Sequence, residues 1–293
     1  MARIGAIFNP YTHTLEEYRS AVAAAERSGL TELWIWEDCF RHSAFGAAGA
    51  ALAWTQRLRI GIGIAPLPLR NVATTAMEIA TLERLFPGRL LPGVGHGVLP
   101  WMAKIGGRAA SPLTLMREYV PALRSLLAGE AVTTRGRYVT LDDVRLEWPP
   151  TTAPAVLAAA EGPKTLALSG EVADGSVLNS GYTPDEVAGF CATIRDARRA
   201  AGREGAHDIV AYVDAAFGDD PEALARAARP EKPDSIDRGV WGDPSRVAAG
   251  VSAYLDAGVD DVVLLPPTRV DPAAFFDATA QATELVAARG GAA

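Results

Sequence analysis

The feature that most restricts the fold of this chain is a rhythm. A short apolar run, a loop and an amphipathic segment recur eight times along 293 residues. The apolar runs fall at 3–8, 32–37, 59–65, 90–95, 154–159, 175–179, 208–217 and 261–265. Between them lie segments with helical signals. Leu15, Tyr18, Val22 and Ala25 keep helical spacing after Thr14, and Gly29 closes that segment. Further helices are expected near 43–54, 71–85, 164–172, 184–201, 244–257 and 272–288, and one that starts at Ser111, with Pro112 placed in its first turn. The runs alternate little between apolar and polar residues, which suits strands buried on both faces of a parallel sheet. Eight β/α units favour a closed (β/α)8 TIM barrel over an open doubly wound sheet. One barrel domain spanning 1–293 is expected. It carries two insertions: a hairpin within 129–153, turning at Gly136, and an excursion at 218–243 with one short helix.

The composition narrows the function classes. A net charge of −7 offers no basic face for nucleic acid or an anionic membrane. The apolar runs are broken well short of the ~18 residues that a membrane span needs. Cys39 and Cys191, far apart, form neither a disulfide framework nor a CxxC site. The first residues lead straight into a strand with no long apolar leader, so a cytoplasmic protein is expected.

In a barrel, the chemistry gathers on the loops after the strands. Those loops hold Tyr11 and His13; Glu37, Asp38, Cys39, Phe40 and His42; Gly95, His96, Gly97 and Trp101; and Glu161, Gly162, Pro163 and Lys164. No HxH or HExxH occurs, so no metal centre is expected. No serine sits in a G-x-S-x-G elbow, and Cys39 lacks a sequence-level base, which leaves hydrolytic triads without support. The turn from Glu161 to Lys164 joins a strand to a helix, so its amides and the helix dipole can seat a phosphate; a plain strand-to-helix turn is the other reading. Gly93, Gly95 and Gly97 follow the fourth strand and do not spell the dinucleotide fingerprint G-x-G-x-x-G. Few strong acids, bases or ligands remain. That profile suits a cofactor bringing its own reactivity to a site that supplies shape and orientation.

The residues that complete this picture resemble a known family. Trp36 to Asp38, the Gly61-Ile-Gly-Ile-Ala65 run, Pro87 to Arg89 leading into Gly93 and Gly95, Trp101 to Gly106, Ser111 to Tyr119, and Gly162 to Gly175 together resemble the luciferase-like monooxygenase superfamily. Within it they resemble the branch that uses the deazaflavin coenzyme F420 and includes methylenetetrahydromethanopterin reductase. The resemblance implies an oxidoreductase that moves hydride between deazaflavin C5 and a C=C, C=N or C=O carbon of a small substrate. The alternatives are an FMN-dependent monooxygenase fed by a separate flavin reductase, and a non-catalytic flavin-binding barrel.

Site roles follow from the same resemblance. The flavin-type ring lies against the end of the third strand, where a non-proline cis peptide is common and where Gly63, Ile64 and Ala65 stand. Asp38 matches the acid at the ring's polar edge. Gly95, His96, Gly97 and Leu99 match ring-contacting positions, the glycines serving as clearance for the ring. Glu161, Gly162, Pro163 and Lys164 match the phosphate turn. His96 is the acid/base candidate, because an ordinary imidazole titrates near ~6.5. Tyr11, Trp36, Phe40 and Trp101 are expected to wall the substrate pocket. A homodimer is implied, with a flavin or F420 reductase as supplier of reduced cofactor. The chain departs from sugar-phosphate relatives at Cys39 and His96, where they carry histidine and an acid. A sugar-phosphate substrate is therefore not implied.

Overall fold

Each barrel strand is an apolar run that cannot hide its backbone polar groups except by pairing on both edges. In the computed structural model, which describes residues 3–230 and 236–290, eight such runs pair in parallel and close on themselves. They are β1 (Arg3–Ile7), β2 (Glu32–Ile35), β3 (Arg59–Pro66), β4 (Leu90–Gly95), β7 (Leu157–Ala160), β8 (Gly175–Leu178), β9 (Asp208–Phe217) and β11 (Asp261–Leu265). Pairing runs in that order, and β11 returns to β1 to complete a (β/α)8 barrel.

The outer ring is α1 (Leu15–Ser28), α2 (Ala44–Trp54), α3 (Val72–Leu85), α5 (Pro112–Leu127), α6 (Pro163–Val172), α7 (Pro184–Ala200), α9 (Pro244–Asp256) and α10 (Pro272–Gly290). Glu17 accepts the Thr14 amide at 2.8 Å at the start of α1, and Gly29 ends that helix at φ 85°. The main core lies between the helices and the barrel. A second apolar cluster fills the barrel itself: Ile7, Trp34, Leu157, Val177, Val210, Tyr212 and Val263. Trp34 is wholly buried there, and a side chain at Gly61 would run into its indole. The barrel is thus packed below its mouth.

Three elements are additions to the eight units. The expected hairpin forms from β5 (Val132–Arg135) and β6 (Thr140–Val144), paired antiparallel. Its turn is tied to α5 by Glu118, whose carboxylate accepts the amides of Arg137, Tyr138 and Val139. These bonds hold the Glu118 carboxyl below its ordinary range. The 218–243 excursion contains the expected short helix, α8 (Pro221–Ala228), and also a strand that the sequence does not signal, β10 (Gly239–Gly242). β10 extends the sheet beside the outer half of β9. Its four residues are too few to show a period. Residues 231–235 of this excursion lie outside the described residues. Lastly, 99–104 is helical, as α4 (Leu99–Lys104), where only a loop is expected. Among the described residues no helix is long and apolar enough to cross a membrane.

Candidate active site

At the C-terminal ends of the strands a cavity of about 800 Å³ opens to solvent. Its wall draws on seven strands, β8 among them through Val177 and the following Asn179. β2 leads into Trp36, Glu37 and Asp38; β3 gives Gly63 and Ile64; β4 leads into His96 and Gly97; β7 leads into Glu161 and Gly162; β9 and β11 give Tyr212 and Leu265.

The β3 contribution is a bulge. Pairing with β4 slips between Ile62 and Ala65, and the Gly63–Ile64 peptide is cis. The bulge pushes Ile64 towards the mouth, half-buried, while Ala65 stays buried behind it and does not reach the cavity. Tyr212 supports it from inside the barrel by donating its hydroxyl to the Gly63 carbonyl at 2.9 Å. The glycines of β4 owe their identity to this bulge. A side chain at Gly93 would meet the Ile62 carbonyl at 2.4 Å, and one at Gly95 would meet Ala159 at 2.9 Å and Ile64 at 3.0 Å. Gly97, at φ 67°, is wedged against Pro66. The expected clearance for a ring at these glycines is therefore taken up by protein. Gly97 still borders the cavity and Gly95 does not.

The two acids after β2 are used differently. Glu37 is buried and accepts two bonds from Arg70, at 2.5 and 2.7 Å, plus the Ala44 amide at the start of α2. It ties the loop to the scaffold. Asp38 accepts only the Tyr11 hydroxyl, at 2.5 Å, and burial pushes its carboxyl above the ordinary range. Burial and the bond to Asp38 push the Tyr11 phenol up to about 12. The neighbouring Cys39–Phe40 peptide is also cis. The Cys39 thiol is raised by burial and by Glu37 and Asp38, so it is not primed as a nucleophile.

The three loop histidines separate clearly. Both ring nitrogens of His13 are engaged, by Thr12 Oγ1 at 2.9 Å and the Val270 carbonyl at 2.8 Å. His42 faces a neighbouring groove shared with Tyr11 and Phe40. His96 alone borders the mouth cavity. Its Nε2 is buried without a hydrogen-bond partner, as is Trp36 Nε1. Burial lowers its pKa, so the imidazole is neutral at pH 7.

On the opposite side, Gly162 N-caps α6, and Glu161, Gly162 and Thr165 border the cavity. Pro163 has no N–H, and the Thr165 and Leu166 amides close on the Gly162 carbonyl. The Lys164 amide is the helix-terminal donor left over. The Lys164 side chain is exposed and outside the cavity wall. Glu161 accepts the Tyr182 hydroxyl at 3.2 Å. The space beyond Gly162 is open, with only Thr165 Oγ1 at 3.7 Å from a Cβ built there.

Of the four expected wall aromatics, Trp36 borders the cavity. Tyr11 reaches it through Asp38, Phe40 lies in the adjacent groove at 66% exposure, and Trp101 sits on α4 away from the cavity wall. Leu99, 38% exposed at the start of α4, lies on the rim with Val98. The sequence reading missed Tyr212, Val177, Asn179 and Leu265, all cavity residues. Val177, Asn179 and Leu265 stand at or just past strand ends, a signal that was available. Tyr212 lies in mid-run and reads as core. Among the described residues no group of three or more His, Cys, Asp or Glu side chains is placed to hold a metal ion.

A barrel whose mouth combines a β3 bulge, an Asp38 carboxylate bound only by Tyr11 and a polar turn at α6 defines a class of ligand-binding barrel. The sequence profile of the luciferase-like monooxygenase family matches residues 2–234, and the chain belongs to that family. It is similar to a 5,10-methylenetetrahydromethanopterin reductase of Methanolobus tindarius, 30% identical over 256 residues, which cover 86% of this chain and 71% of that protein. It is also similar to an F420-dependent glucose-6-phosphate dehydrogenase of Kineococcus radiotolerans, 29% identical, with 83% and 85% covered. The solved coenzyme F420-dependent tetrahydromethanopterin reductase of Methanopyrus kandleri superposes with a TM-score of 0.82 over 96% of this chain and 97% of its own, at 22% identity, which shows the common fold.

Proposed function

We propose that this chain is an F420-dependent oxidoreductase acting on a small organic substrate. The observation that carries the reading is the cavity itself, where the β3 bulge, Asp38 and an unpartnered, neutral His96 face one space large enough for a tricyclic ring. Two relatives that match most of this chain support it, one a methylenetetrahydromethanopterin reductase and the other named as F420-dependent. When bound, F420 supplies or accepts the hydride at C5.

The residues present fit such a group. Gly63 and Ile64 offer an apolar buttress. Asp38, held by Tyr11, offers an acceptor for the polar edge of the ring. Gly162 and the Lys164 amide offer a seat for phosphate beside an open space, and the Thr165 hydroxyl, which donates to the Gly162 carbonyl at 3.1 Å, joins it by turning its proton outward. The Glu161 carboxylate is a poor partner for phosphate, so that seat is made of backbone and hydroxyl. Trp36, Val98, Leu99, Val177 and Leu265 offer an apolar wall beside the reacting carbon. His96 gives or takes the proton that accompanies the hydride. Among the described residues the cavity wall holds carboxylates and no lysine or arginine, so the substrate is uncharged or cationic where it meets the wall. The reading includes a cytoplasmic homodimer. Trp54 at the end of α2 and Met77 and Leu85 on α3 are exposed apolar side chains open to contact with a second copy.

The deciding experiment is titration of the purified protein with F420 and with FMN. Quenching of F420 fluorescence without FMN affinity is expected. Tight FMN binding with no F420 binding would replace this reading with the monooxygenase one. His96→Ala is then expected to slow single-turnover reaction of bound cofactor with C=C, C=N or C=O compounds by about 10²–10⁴-fold. The pH sign is fixed by a lowered pKa. Oxidation needs neutral His96 and is lost only as pH falls through its lowered pKa, beneath the ordinary ~6.5, whereas reduction needs the proton and gains there. Identical pH profiles for wild type and His96→Ala would take His96 out of the reaction.

A further inference from the structure

We infer that Tyr212 is a positioning residue for the cofactor ring, acting through the Gly63 carbonyl. The inference rests on the proposal that the ring lies against the β3 bulge. Three observations carry it. The Tyr212 hydroxyl donates to Gly63 at 2.9 Å inside the barrel. The phenol ring packs against Trp34 and Trp36, with centroids at 6.0 and 6.4 Å, which fixes its place beside the bulge. The hydroxyl fills the space in which Gly63 would carry a side chain: a Cβ there would lie 1.6 Å from it. Tyr212 also forms part of the cavity floor, so one side chain touches both the ligand space and the backbone that shapes it.

A hydrogen bond between a fully enclosed hydroxyl and a carbonyl fixes the height of that carbonyl better than packing does, because it is directional and has no water to compete with. Without it, Gly63 and Ile64 are free to settle into the barrel, and the surface offered to a flat ring falls with them. Burial raises the Tyr212 phenol well above its ordinary value, so the donor is retained at every pH at which the protein is handled.

The test uses Tyr212→Phe and a matched control, Tyr18→Phe. Tyr18 donates a comparable buried bond to the Ala47 carbonyl, between α1 and α2 and away from the cavity. Both variants are expected to fold, as judged by circular dichroism and melting temperature. Tyr212→Phe is expected to bind F420 roughly tenfold more weakly, the worth of one buried hydrogen bond, and to shift the absorption band of the bound cofactor. Tyr18→Phe is expected to change neither. Equal F420 affinity and an unshifted band in Tyr212→Phe would overturn the inference. So would equal losses in both variants, or a Tyr212→Phe chain that no longer folds, since either assigns the hydroxyl to general stability. Wild-type protein that binds FMN and not F420 removes the cofactor reading instead, and the same pair of variants is then read with FMN.

Discussion

Glycine is used in opposite ways on the two sides of the mouth. On the β3–β4 side, the spaces beside Gly63, Gly93 and Gly95 are filled by the molecule itself, by Tyr212, the Ile62 carbonyl, Ala159 and Ile64. On the α6 side, the space beside Gly162 is nearly empty and opens into the cavity. The first kind of glycine permits close packing of the scaffold; the second leaves room for something from outside. Both kinds lie near the same rim, the first within or at the end of apolar strands and the second just after one. What separates them is the neighbour, not the residue.

The comparison breaks most visibly at Gly63. Gly63→Ala is expected to destabilise the protein by about 3 kcal/mol or more, the upper end for overpacking, because the incoming methyl meets an enclosed hydroxyl. Denaturant unfolding reads this directly. Removing the hydroxyl as well, in Gly63→Ala combined with Tyr212→Phe, leaves a 2.8 Å approach to the ring carbon and recovers roughly 1 kcal/mol. Strict additivity of the two changes would mean that the bulge had moved and that Tyr212 does not define its position.

Gly162 gives the converse. An alanine there meets only Thr165 Oγ1 at 3.7 Å, which is ordinary contact, and the backbone at φ −89° suits any residue. Gly162→Ala is expected to change unfolding free energy by less than about 0.5 kcal/mol, as surface substitutions usually do. It is expected to weaken F420 binding about tenfold by intruding on the phosphate seat. Isothermal titration beside a denaturation curve separates the two effects. If stability falls and affinity holds, the α6 turn is a scaffold element and the phosphate sits elsewhere.

This contrast also marks how far the sequence could be read. The barrel was legible because eight apolar runs must each find two partners. The hairpin at β5–β6 was legible from its polar, β-rich flanks around Gly136. The mouth was legible as a place, since any barrel puts its functional loops there, and Asp38, Gly63, Ile64, His96 and Glu161 do meet in one cavity. What filled each glycine's space was not legible. A missing side chain shows in the sequence, but its occupant is set by strand register, and the slip between Ile62 and Ala65 exists only once β3 and β4 are paired. Tyr212 was hidden for the same reason. It stands in the middle of a buried run, and only barrel closure turns it towards Gly63. Glu37 and Asp38 look equivalent in the chain. Arg70, 33 residues further on, consumes one and leaves the other.

The smallest expected effect tests the distinction away from the mouth, where no ligand is involved. Gly189 lies inside α7 on its exposed face, and nothing stands within 4 Å of a Cβ built there. If a glycine's neighbours decide its role, this one holds no space for anything, and its only effect is the entropy it adds to the unfolded chain. Gly189→Ala is therefore expected to stabilise the protein by about 0.5–1 kcal/mol, read as a higher denaturant midpoint with an unchanged slope. A loss of stability at this position would show that its open surface is covered in solution.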